Sequence, residues 1–186
     1  MIVCEGYLEL FYFKRLYAWR ESWLGHSNLL HFKIICNDGK SPESVVAKAV
    51  GEARGSYREV WCVFDVERPQ HSAKLSKAID YAKNNKIHVA LTYPSFDAWA
   101  LAHLDPLPNV HENSAKCYKQ KLHERLGVRF TRASGDEFAA SILGDNCCHV
   151  ERAQRNISCC ENVDEVCRSS SPSTNLHVLV DKFLAQ

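Results

Sequence analysis

Two short stretches deliver acids to the places where apolar runs stop. "MIVCEG" carries Ile2, Val3 and Cys4 directly into Glu5, and "VWCVFDVERPQ" carries Val60–Phe64 into Asp65 and Glu67. Runs of this kind are interior strand material. In extended backbone, residues i and i+2 share a face, so Asp65 and Glu67 point together. Carboxylates gathered at one place repel one another and raise each other's pKa unless a cation sits between them. An all-oxygen donor set suits Mg2+ or Mn2+, which complete their shells with water and substrate phosphate. A plainer reading stands beside this one: loops after strands are commonly acidic, and a D-x-E pair arises by chance. Gly6 favours the functional reading, because a glycine after an acid lets a phosphate approach the backbone.

The surrounding pattern supplies the elements that must position these acids. Apolar residues recur at helical spacing from Leu8 to Leu24, and "LLHFKIIC" (29–36) reads as a strand closed by the turn "NDGKSP". Ser41 and Pro42 suit the cap and first position of a helix whose inner face is Val45, Val46, Ala49, Val50 and Ala53. "EVWCVF" (59–64) is a buried strand, 72–85 a helix, 87–94 a strand stopped by Pro94, and 96–104 a short apolar helix. Strands alternating with helices, and written as apolar runs, imply an α/β fold with a largely parallel sheet covered on both faces. In such a sheet ligands bind at the carboxyl ends of the strands, where Glu5, Asp65 and Glu67 fall. Residues 1–104 form this α/β core. Residues 105–186 form a mostly helical extension packed on the same domain, with helices expected at 114–126, 136–143 and 174–184. A Ser/Pro linker, "RSSSPSTN", sets off the last of these, with Thr174 or Asn175 as its cap.

Composition bounds the rest. The chain has 186 residues, 46% of them hydrophobic and 24% charged, which are globular values. A net charge of +1 makes no case for a polyanion partner, which would need a local basic patch. No apolar run reaches the ~18 residues of a membrane span, and the first residues lack a basic leader, so a cytoplasmic location is expected. Of nine cysteines, Cys4, Cys36 and Cys62 lie in expected strands as small hydrophobes. Cys117, less clearly, also sits among apolar residues, and the remaining five, in "CCH" (147–149), "CC" (159–160) and Cys167, lack standard zinc spacing and read as reduced thiols on short helices.

Glu5-Gly6 after the first strand, followed by an acid pair after a later one, resembles the toprim domain of topoisomerases, primases and OLD-type nucleases. The whole chain resembles the RloB-like family of toprim-fold proteins associated with bacterial phage defence. The segments that carry this are "IVCEGYLELFYF" (2–13), "EVWCVFDVER" (59–68), "VALTYPSFDAWALAHL" (89–104) and "SPSTNLHVLVDKFL" (171–184). The resemblance implies Glu5 as general acid/base or metal ligand, and Asp65 as first acid of the metal pair. It makes Glu67 the second acid, where the family usually has aspartate. Glu9 falls on the second glutamate of the family's E-G-x-x-T-E pattern, with Leu8 in place of threonine. Asp97 stands where the family tends to have glutamate. With Glu5, Asp65 and Glu67, Asp97 would complete the Mg2+ (or Mn2+) ligand set. Its other reading is an acid in the first turn of a helix, favourable to the helix dipole alone.

The resemblance thus implies a metal-dependent nuclease acting in anti-phage defence, on RNA such as tRNA in preference to DNA. A partner protein of a defence system and a homo-oligomer are both compatible with it. The alternative is a non-catalytic toprim-fold sensor or partner subunit, which the Glu67 and Leu8 departures favour slightly. Lys116, Lys119, Lys121, Arg125, Arg129 and Arg132 could track phosphates or form a solvated helix face. His103 reads as a packed histidine rather than a general acid.

Overall fold

The structure, a computed structural model, describes residues 1–24, 31–53, 57–66, 73–108 and 114–184. Four parallel strands form its centre: β1 (Ile2–Cys4), β2 (Ile34–Cys36), β3 (Trp61–Asp65) and β4 (His88–Tyr93). They alternate with helices α1 (Tyr7–Leu24), α2 (Pro42–Glu52), α3 (Ala73–Asn84) and α4 (Phe96–Ala102). The later residues give α5 (Ala115–Leu126), α6 (Gly135–Leu143), α7 (Val150–Asn156), α8 (Val163–Arg168) and α9 (Leu176–Leu184). They also give two strands that local periodicity did not announce, β5 (Ser158–Cys159) and β6 (Ser173–Thr174). The six strands run in the order β2-β1-β3-β4-β6-β5, all neighbours parallel except β4 and β6.

Strand alternation sorts the core into two layers. Ile2, Cys4, Trp61 and Val63 face a cluster with Tyr12, Phe13 and Leu16 of α1, Trp99 of α4 and Leu179 and Phe183 of α9. Val3, Cys62 and Phe64 face the other way, onto Val45, Val46 and Ala49 of α2, Leu75 and Ala78 of α3 and Val166 of α8. Both faces of the sheet are covered, as the apolar strands require. Because α1 and α2 lie on opposite faces and strand order reverses between β1 and β3, the topological switch point falls between those two strands.

Three local readings are adjusted by the structure. Of the strand expected at 29–36, residues 29 and 30 lie outside the described residues, and within 31–36 the strand is Ile34–Cys36, because an edge strand pairs only along its neighbour and β1 offers three residues. Ser41 sits at the cap position of α2 with Pro42 first, yet its side chain makes no capping bond. The Ser/Pro stretch before α9 is no linker: Ser173 and Thr174 are fully buried and pair with Tyr93 and Thr92 of β4. Among the described residues no helix is long and apolar enough to cross a membrane.

Candidate functional site

The acids meet at the carboxyl edge of the switch point. β1 ends after Cys4, and the ladder to β3 is carried one step further when the Glu5 N–H donates to the Val63 carbonyl (2.9 Å). Where the next backbone acceptor is missing, a Glu5 carboxylate oxygen takes its place and accepts from the Asp65 N–H (3.1 Å). Asp65 in turn accepts from the Phe96 N–H at the start of α4 (2.8 Å). This is a helix N-terminus supplying one of its orphan donors to an anion. Two strand ends and the first turn of α4 are therefore joined through the side chains of Glu5 and Asp65.

Glu9 enters from α1. The helix begins at Tyr7, directly after Gly6, so Glu9 lies in its first turn and folds back over the glycine. A Cβ at Gly6 would stand 2.8 Å from a Glu9 carboxylate oxygen. The space that Gly6 leaves is thus filled by an acid of this chain; the expectation that it admits a phosphate is corrected accordingly. Glu9 is only 5% exposed. Burial first, then the charges of Glu5 and Asp97, push its pKa up to about 8, although its own N–H and that of Gly6 pull the other way. Asp65 is raised well above the usual carboxylate range by burial and then by Glu9, Glu5 and Asp97, with the Phe96 N–H opposing. Burial lifts Asp97 to about 6, against the Lys119 charge and the Ser95 hydroxyl, which donates to it at 3.4 Å.

The structure thus brings Glu5, Glu9, Asp65 and Asp97 within electrostatic reach of one another. Glu67 lies outside the described residues. Among the described residues no group of three or more His, Cys, Asp or Glu side chains could hold a metal ion. The donor set still fits a hard divalent cation in chemistry, since it is all carboxylate oxygen. Magnesium in particular is commonly held by one or two carboxylates, with water and substrate phosphate supplying the rest. Glu5 and Asp65 are the two that would hold it.

His103 is placed elsewhere, wholly buried between α1 and α4. A ring nitrogen meets the Trp99 carbonyl (2.9 Å), which can only accept, so Nδ1 carries the proton and Nε2 accepts from the Tyr12 hydroxyl (3.1 Å). Burial drops its pKa to about 3. It is a packed histidine. The basic residues divide: Arg125 pairs with Asp105, whereas Arg132 pairs with Asp38 and lies 3.7 Å over the Tyr7 ring. The Phe96 N–H and the Tyr7–Arg132–Asp38 group were missed from the sequence. The apolar run at 96–104 was read as a short helix, but nothing local assigned its first N–H to an acid 31 residues earlier.

The carboxylates at the switch point of this open α/β sheet lie at the edge where doubly wound proteins commonly bind their ligands. The RloB-like protein family model matches residues 1–183, and the chain belongs to that family. Comparison with curated proteins and with solved structures found no match.

Proposed function

We propose that the protein is a metal-dependent nuclease of toprim type that hydrolyses phosphodiester bonds of nucleic acid, RNA such as tRNA in preference to DNA, in anti-phage defence. The observation that carries this reading is the convergence of Glu5, Glu9, Asp65 and Asp97 on one edge, where burial and mutual repulsion raise the proton affinity of Glu9 and Asp65. Such an arrangement is costly unless a cation or substrate offsets it. A bound Mg2+ or Mn2+ supplies Lewis-acid polarisation of a phosphodiester oxygen. The chain's own residues do the rest. Glu5 is aimed by the Asp65 N–H and Asp65 by the Phe96 N–H, which leaves the second Asp65 oxygen for a ligand. Glu9, with its pKa near 8, holds a proton at neutral pH and can return one to a departing oxygen. Support for RNA and for defence comes from the family resemblance, not from a residue that reads a base.

The test is calorimetry with Mg2+ and Mn2+ on wild type and Asp65→Asn, followed by incubation with total RNA and plasmid DNA. Asparagine keeps the acceptor for Phe96 and removes the charge, so the fold is retained. The expected result is loss of metal binding and a fall in cleavage of roughly 100-fold or more. Equal metal binding by both proteins, or no cleavage of either polymer by wild type, favours the non-catalytic sensor or partner subunit.

A further inference from the structure

The segment that joins α5 to α6 carries one arginine to the rim of the acid edge. α5 ends at Gly127, whose φ of 68° closes the helix and turns the chain away. Phe130 then packs edge-on against Phe11 of α1 and Phe138 of α6, with ring centroids 6.3 and 5.4 Å apart. Its N–H donates to His123 Nε2 (3.3 Å). Further on, Gly135 lies against the same Phe11, where a Cβ would stand 2.2 Å from the ring. The segment is therefore fastened on both sides of Arg132. Tyr7 is one helical turn before Phe11, so the two rings share a face of α1. Arg132 comes down on the first of them, its guanidinium carbon 3.7 Å from the Tyr7 ring centroid. One of its nitrogens donates to the Asp38 carboxylate.

Both partners of Arg132 belong to segments that bear on Glu5. Tyr7 follows it by two residues, and Asp38 precedes Gly39, whose N–H donates to the Glu5 carbonyl (2.7 Å). As a structural tie the ion pair is weak. The Arg132 and Asp38 side chains are 64% and 56% exposed, and pairs so open to water add little stability. Phe130 and Gly135 already hold the segment. What the contact does fix is the guanidinium: Tyr7 sets its plane, and its fork faces an anion. A carboxylate and a phosphate accept from that fork in the same way, so Asp38 occupies the place a phosphate would take. Glu5 and Asp65 repel the phosphates of any strand laid on this edge. A fixed cation here has a task that a solvated surface charge does not.

We infer that Arg132 anchors a backbone phosphate of the nucleic-acid substrate at the rim of the acid edge, with Tyr7 setting the guanidinium plane and Asp38 holding the fork until the phosphate displaces it. The identity of the ligand as a nucleic-acid strand rests on the nuclease reading, whereas the exchangeable guanidinium stands on the Tyr7–Arg132–Asp38 geometry alone.

The test reads binding, not cleavage. A hexauridylate and, separately, inorganic phosphate are titrated into the full chain in EDTA, and the Arg132 Nε–H resonance is followed. In a purely structural pair, removal of either partner acts with the same sign; displacement makes the signs opposite. Arg132→Ala is expected to weaken hexauridylate binding about tenfold and to lower the slope of log affinity against log salt by about 0.7, the share of one single-strand phosphate. Arg132→Lys keeps the charge without the fork and should recover only part of this loss. Asp38→Asn, a residue that suits the left-handed backbone at this turn (φ 64°), is expected to strengthen binding severalfold, and by less when Arg132 is already alanine. Urea midpoints should stay near wild type throughout. Weaker binding by both Arg132→Ala and Asp38→Asn, wild-type binding by Arg132→Ala, or an unmoved Arg132 resonance overturns the anchor. Free phosphate binding as tightly as the hexauridylate overturns its assignment to a nucleic-acid strand. A protein that cuts neither polymer but shows the opposite signs refutes the nuclease and leaves the anchor standing; one that cuts, with binding and cleavage untouched by Arg132→Ala, does the reverse.

Discussion

Glu9 illustrates how a single side chain converts burial into pH dependence. Its pKa is about 8 in the folded protein against 4.5 for the free side chain. Between those values the folded state holds a proton that the unfolded chain has lost, so stability falls as pH rises through the window. His103 has the opposite sign: its folded pKa of about 3 lies below the free value of 6.5, so it removes stability as pH falls below 6.5. Above pH 7 histidine is neutral in both states, but buried thiols such as Cys62 and Cys147, raised to about 12, act with the same sign as Glu9, so its share is the difference between wild type and Glu9→Gln. Metal-free wild type is therefore expected to unfold at lower urea at pH 8.5 than at pH 7. Glu9→Gln should reduce that difference and gain stability at pH 8.5, on the order of 1.4 kcal/mol per pKa unit removed. A pH-independent midpoint in wild type would show that Glu9 ionises freely. Divalent metal should narrow the same difference if it neutralises this cluster.

At the scale of elements, α4 does two jobs at its two ends. Its first N–H holds Asp65, and its last turn carries His103 to the Tyr12 hydroxyl on α1. That second contact fixes the helix bearing Glu9 against the helix that aims Asp65. Tyr12→Phe leaves Nε2 of a buried imidazole without a donor, and a loss of roughly 1–3 kcal/mol is expected, measured by urea unfolding at pH 7. Acid sensitivity is a separate readout. Wild type should lose stability relative to a His103→Asn variant as pH falls from 6.5 toward 3, because burial penalises the charged imidazolium. Parallel curves for the two proteins would mean that His103 protonates without cost.

For the whole molecule, the C-terminal segment completes the sheet. β6 pairs antiparallel with β4, and Thr174 donates its hydroxyl to the Leu91 carbonyl (2.6 Å). Asn175 then acts as a piece of strand made from a side chain. It accepts from the Leu91 N–H (2.7 Å) and donates to the Val89 carbonyl (2.9 Å), both buried. Asn175→Ala orphans one backbone donor and one acceptor on β4, the strand that leads into Phe96 and so into the Asp65 contact. The expected cost is roughly 2–4 kcal/mol, read as a lower urea midpoint. Asn175→Asp should be as harmful, since a carboxylate cannot donate to Val89. A neutral Asn175→Ala would mean that water replaces the amide at β4.

The alternation of strands and helices through residue 104, the covered sheet and the order of the acids along it were all present in the local pattern. Apolar periodicity and the turn residues around "NDGKSP" and Pro94 act over a few positions, so they can be read without knowing what packs on what. The acid cluster was partly visible in the same way, because Glu5 and Asp65 stand where their strands must end. The rest depends on pairings between distant segments. Two-residue strands such as Ser173–Thr174 carry no periodicity, and they become strands only because β4 presents an open edge. Glu9 over Gly6, Arg132 over Tyr7 and Asn37 beside Glu5 follow from helix entry angle and strand register, which packing of the two core layers sets. Local chemistry chose which residues could form a site, and the register of β1 against β2 and β3 chose which of them meet.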